Sequence, residues 1–99
     1  MKVRIVETTG DFAEDKDAAA SIRDQYVRQA VKNKAEVTLD FSGVTLVTQS
    51  FVHALISDVL RNSGEDALRY IIFKGCNDGV QGIVQTVVQY SLDAMANGS

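Results

Sequence analysis

Apolar residues alternate with polar ones at Val3 and Ile5, against Lys2 and Arg4, and again at Val37, Leu39 and Phe41, against Glu36, Thr38 and Asp40. A period of two marks a strand with one covered face, so residues 2–7 and 36–41 are expected to be strands. The run Leu68 to Phe73 (LRYIIF) is nearly continuous, as in a central strand buried on both faces. Between these stretches the period lengthens to that of a helix. Ala19, Ile22, Tyr26, Val27, Ala30 and Val31 recur at helical spacing from Ala18 to Lys32, behind an acidic start in which Asp17 is the candidate cap. Val52, Leu55, Ile56, Val59 and Leu60 predict a helix opening at Ser50, whose hydroxyl is the expected cap, with Phe51 at its entrance. Asn62-Ser63-Gly64 is its expected end, with Gly64 left-handed. The cleanest periodicity is the last, Val80, Ile83, Val84, Val87, Val88 and Leu92, which turns Gln81, Gln85 and Gln89 outward as an uncharged stripe. The small, polar tail Ala94–Ser99 is expected to fray.

The order is strand, helix, strand, helix, strand, helix. It predicts a single small α/β domain over residues 1–99, with a largely parallel or mixed sheet of three strands alternating with three helices. Thr8-Thr9-Gly10-Asp11, Asn33-Lys34-Ala35, Ser42-Gly43 and Gly75-Cys76-Asn77-Asp78-Gly79 read as turns and loops. The short apolar stretch Val44-Thr45-Leu46-Val47 reads as a loop at the carboxyl end of the second strand. Open α/β sheets place their ligand or partner sites there.

Composition narrows the function more than the fold. At 45% hydrophobic and 23% charged the chain is an ordinary globular one, and its net charge of −3 argues against nucleic acid. No apolar run approaches the ~20 residues that span a membrane, and the start MKVRIVETTG lacks the apolar segment of a signal peptide. One cysteine without such a signal points to the cytoplasm and to no internal disulfide. One Cys and one His do not make a zinc site, and no cofactor is expected.

Individual residues carry candidate chemistry beside plainer roles. Thr48 and Ser50 stand where a helix N-terminus favours added phosphate, or simply close the loop and cap the helix. Asp40 reads as a carboxylate that accepts loop N–H groups. His53, one turn into the helix, has no Ser, Cys or Asp spaced to suggest a triad and reads as structural. Cys76 sits before a helix, a place that lowers thiol pKa values, though a lone cysteine is more often structural. Gly75, Gly79 and Gly82 lack the Lys-Ser/Thr ending of a phosphate-binding loop. Arg23, Asp24, Arg28 and Lys32 read as a solvated face.

The stretch LDFSGVTLVTQSFVHALISDVL is more specific. A strand ending Asp-Phe-Ser-Gly-Val, a short loop and Ser-Phe opening a helix resemble the STAS-like family of unknown function, a small relative of the anti-sigma-factor antagonist fold. The resemblance covers roughly residues 15–92. It implies a non-enzymatic bacterial signalling module that binds another protein, often a histidine-kinase-like (GHKL) ATPase. The docking surface would be built from Ser42, Thr45, Thr48, Gln49, Ser50 and His53, with Cys76, Asn77 and Asp78 beside it. In antagonists with the fuller motif the helix opens Asp-Ser-Ser-Gly, and the partner phosphorylates the first serine. Here the positions read Thr48-Gln49-Ser50-Phe51, so the acceptor position falls on Gln49, and the candidate hydroxyls are Ser50 and Thr48. The alternative in a second class is a small-molecule or nucleotide sensor using the same crevice. An enzyme is not expected, because no nucleophile–base pair or metal cluster is visible.

Overall fold

The computed structural model describes the backbone of residues 1–98 and the side chains of residues 1–94. The chain runs β1 (Lys2–Arg4), α1 (Val6–Thr9), β2 (Phe12–Ala13), α2 (Lys16–Ile22), a π-turn (Arg23–Val27) and α3 (Arg28–Lys32). It continues through β3 (Val37–Asp40), β4 (Leu46–Val47), α4 (Gln49–Ser63), a 3-10 segment (Gly64–Arg69), β5 (Ile71–Lys74) and α5 (Asp78–Gly98). The three expected strands are present but shorter, and two further ones, β2 and β4, pair separately.

The main sheet has the order β1-β3-β5, and both pairings are parallel. Its register sets Val3, Leu39 and Phe73 in one row and Val37 beside Ile71 in the next. These side chains join the helices in the core. On the opposite face Lys2, Arg4, Ile72 and Lys74 are exposed. α4 packs between α2 and α5, so the domain has one layer of strands and one of helices.

The central strand is β3, not the LRYIIF run. Two elements share that run. Leu68 and Arg69 end the 3-10 segment, which packs on α4, whereas only Ile71 and Phe73 face inward from β5, an edge strand whose Ile72 is 37% exposed. The first strand stops at Arg4 because Val6–Thr9 coils into a turn that closes at Gly10 with φ +72°.

The cap of α2 is Asp15 and not Asp17: its carboxylate accepts the Asp17 N–H at 2.8 Å, two residues earlier than the periodicity indicates. The charged face of this helix is more than a solvated surface. Arg23 donates to the Ala54 carbonyl at 3.2 Å and Arg28 to the Asp58 carboxylate at 2.6 Å, which ties the π-turn and α3 to α4. α5 continues helical through Gly98, past the point where fraying was expected, and Ser99 lies outside the described residues.

Ile5, Leu39, Phe41, Phe51, Leu55, Ile56 and Leu60 are fully buried, and each such side chain contributes roughly 1.5–3 kcal/mol on burial. Phe41 stacks on Phe73 with centroids 6.4 Å apart. Val80, Val84 and Val87 seal the core from α5, while Gln81, Gln85 and Gln89 are exposed, as their spacing predicts.

Candidate functional site

The stretch expected to be a plain loop carries β4. Leu46 and Val47 pair in parallel with Phe12 and Ala13. The Asp11 carbonyl accepts the Thr45 N–H at 2.8 Å and its hydroxyl at 3.0 Å. The Thr48 N–H closes the ladder on the Ala13 carbonyl at 3.0 Å. Two-residue strands leave no periodicity to read, so nothing in the sequence announced this pairing.

That pairing decides how the next helix starts. It holds Thr48 extended (φ −91°, ψ 154°), the conformation an N-cap needs, and the Thr48 hydroxyl accepts the Phe51 N–H at 3.1 Å. Ser50 is therefore not the cap. It lies inside the first turn, exposed, with its hydroxyl 3.4 Å from that of Thr48.

Beyond the cap, Gln49, Ser50 and His53 form one wall of a groove of about 540 Å³. Val87 and Tyr90 of α5 form the other. Tyr90 is 64% exposed and is the aromatic of this site that the sequence reading missed. Its signal was an aromatic one position beyond the glutamine stripe, off the valine face of an otherwise regular helix. His53 shares the groove with no acid or thiol.

A second cluster lies at the carboxyl end of the sheet. Asp40, only 4% exposed, accepts the Ser42 N–H at 2.9 Å and faces the Lys2 ammonium at 3.3 Å. The bonds from Ser42 first, and Lys2 after them, hold its carboxyl at about 2, well below the ordinary 3.8. Asp40 thus plays the loop-fastening role expected of it. Gly75 lies close by with φ +72°, and a Cβ there would collide with the Ser42 hydroxyl oxygen and stand 2.8 Å from both the Asp40 carboxylate and the Ser42 backbone nitrogen.

Cys76 is half-buried, and its thiol is shifted up, first by burial and then by the Asp40 charge. The position before a helix therefore does not lower this thiol, since desolvation and a nearby carboxylate both disfavour the thiolate, which agrees with the structural role favoured for a lone cysteine.

Asn77 joins the two loops. Its side-chain carbonyl caps α5 by accepting the Val80 N–H at 2.8 Å, and its amide donates to the Thr45 carbonyl at 3.0 Å. Asp78 is exposed in the first turn of α5. The nine sequence-derived residues thus separate by geometry. Ser42 belongs to the Asp40–Gly75 cluster, with Cys76 in the adjoining loop. Thr45 and Asn77 are bonded to one another, and Thr48, Gln49, Ser50 and His53 form the helix entrance. Among the described residues no group of three or more His, Cys, Asp or Glu could hold a metal ion, and no helix is long and apolar enough to cross a membrane.

Comparison with curated proteins and with solved structures returns no match. Residues 18–81 match the family described as a STAS-like domain of unknown function (DUF4325). The matched span runs from α2 through the first turn of α5 and contains β3, the Thr48 cap and the α4 wall of the groove. The chain belongs to this family of STAS-like domains, and its compact α/β fold with parallel strands agrees with that membership.

Proposed function

We propose that this chain is a non-enzymatic regulatory module that docks a protein partner, of the GHKL ATPase class, through the entrance of α4. The observation that carries the reading is the open groove between Gln49, Ser50 and His53 on one side and exposed Tyr90 on the other. Tyrosine is among the residues that most often anchor interfaces, since it offers a large apolar body and a polar tip at little entropic cost. A docking surface is favoured over a small-molecule site by the state of the polar groups nearby. Asp40 and Asn77 at the end of the sheet are already engaged, Asp40 by the Ser42 N–H and Asn77 by the Val80 N–H and the Thr45 carbonyl, and neither lines the groove. Of the two candidate hydroxyls, Thr48 is engaged as the cap and Ser50 faces outward, so Ser50 is the one a partner kinase would modify.

The experiment is affinity capture from an extract of the source cells with mass spectrometry, using the wild type, Gln49→Lys and Tyr90→Ala. Wild-type protein should enrich an ATPase with a GHKL domain, and each variant, folded by its melting curve, should recover roughly a tenth as much or less. Capture of no such ATPase, or equal capture by all three proteins, refutes the reading.

A further inference from the structure

We infer that the docking surface continues across the second sheet onto Phe12 and Leu46, and that the partner meets it with an apolar socket edged by lysine and arginine. The inference rests on the reading above for the place of the interface, and adds a second anchor and the partner's chemistry. Phe12 and Leu46 are paired in register across β2 and β4, so their side chains stand side by side on the same face. They are 43% and 61% exposed, while Ala13, in the next register position, is fully buried. Single exposed apolar residues are ordinary, but two large ones held edge to edge by a sheet form a patch, and this patch lies two residues before the Thr48 cap.

Charge decides what kind of partner fits. Glu7, Asp11, Glu14, Asp15 and Asp17, all exposed, lie on either side of β2 in the sequence, with Lys16 the only base among residues 7–17. Five acids against one base give this segment −4 in a chain of −3, so the rest of the protein is close to neutral. Among the described residues none of these five carboxylates takes part in an ion pair, whereas Asp24, Asp40, Asp58 and Asp66 all do. Asp11 and Glu14 flank β2 directly, and Glu7 lies on α1, which packs against it. An apolar centre within a rim of one sign selects a partner with the same centre and the opposite rim, and such a rim acts mainly on encounter rate and on salt dependence.

The test places the photo-reactive residue p-benzoylphenylalanine at Phe12, Leu46, Gln49 or Ile72, one at a time, in the full chain made in its own cells. Irradiation should attach one and the same partner at positions 12, 46 and 49, and none at 72 on the open face of the main sheet. The combined substitution Asp11→Asn, Glu14→Gln should lower adduct yield at 12 and 46 about tenfold, as should raising the salt of a freshly made extract. Adducts at 49 alone would overturn this inference and leave the proposed docking groove standing. Silence at all three positions would remove both. Attachment to a second copy of this chain, equal labelling from position 72, or yields indifferent to the two neutralised carboxylates would each overturn it. All four sites are exposed, and a melting curve for each variant separates lost contact from lost folding.

Discussion

Replacing Thr48 by alanine should cost far more stability than replacing Ser50, although both hydroxyls open the same helix. The Thr48 oxygen accepts the Phe51 N–H at 3.1 Å, and Phe51 is fully buried, so water is a poor substitute once that oxygen is gone. Loss of a cap of this kind is worth about 1 kcal/mol, which in a domain of this size lowers Tm by roughly 4–8 °C. Ser50 makes no bond to the backbone, only a 3.4 Å approach to Thr48, and alanine is the better helix former. Ser50→Ala should therefore leave Tm unchanged or raise it slightly. Thr48→Ser keeps the oxygen and should recover most of the loss. The assay is thermal unfolding followed by circular dichroism at neutral pH for the four proteins. A Ser50→Ala loss equal to that of Thr48→Ala would refute the assignment of the cap and, with it, the claim that the β2–β4 pairing sets the start of α4.

Three further outcomes follow from the geometry. Gly75→Ala should lower Tm through a left-handed backbone, worth about 1–2 kcal/mol, and through displacement of the Ser42 hydroxyl, while Gly82→Ala, inside α5 with open space around it, should raise Tm. The Asp40 carboxyl titrates lower folded than unfolded, so its stabilisation is present above about pH 4 and is lost as pH falls towards 2; urea unfolding at pH 5, 3 and 2 should show wild type converging on Asp40→Asn, and a constant gap would contradict the Ser42 and Lys2 contacts. Val84→Asp should unfold the domain by burying a charge with no partner whereas Gln85→Asp should be mild, and equal melting temperatures would mean that α5 is phased differently.

What the sequence disclosed depends on how far each feature reaches along the chain. The valine face of α5 and the alternation of β3 are local and repeat, so both were legible. The cap of α4 was not, because Thr48 and Ser50 are both good capping residues and the choice depends on a backbone angle fixed by Ala13, far away in sequence. The same distance concealed β2 and β4, and the groove, whose two walls come from separate helices. For Cys76 the position relative to a helix is visible in the sequence, whereas the burial and the Asp40 carboxylate that raise its thiol are not. Asp40, Thr45 and Asn77 drew attention in the sequence as polar residues at a strand end and in loops, but the bond of Asp40 to Ser42 and that of Asn77 to the Thr45 carbonyl emerge only once the strands are aligned.

The all-parallel sheet also dictates when the protein can fold. Lys2 pairs with Thr38 and Val37 with Ile71, partners 36 and 34 residues apart, and no hairpin joins any two neighbours. Each pairing must therefore close a long segment before it gains contacts, which slows nucleation compared with a chain that zips from a turn. On the ribosome, β1 and β3 can meet once the α2–α3 crossover has emerged, but the other edge of β3 stays unpaired until β5 arrives. A nascent or truncated chain ending before Lys74 would expose the apolar edge of β3, the strand on which the finished domain is centred.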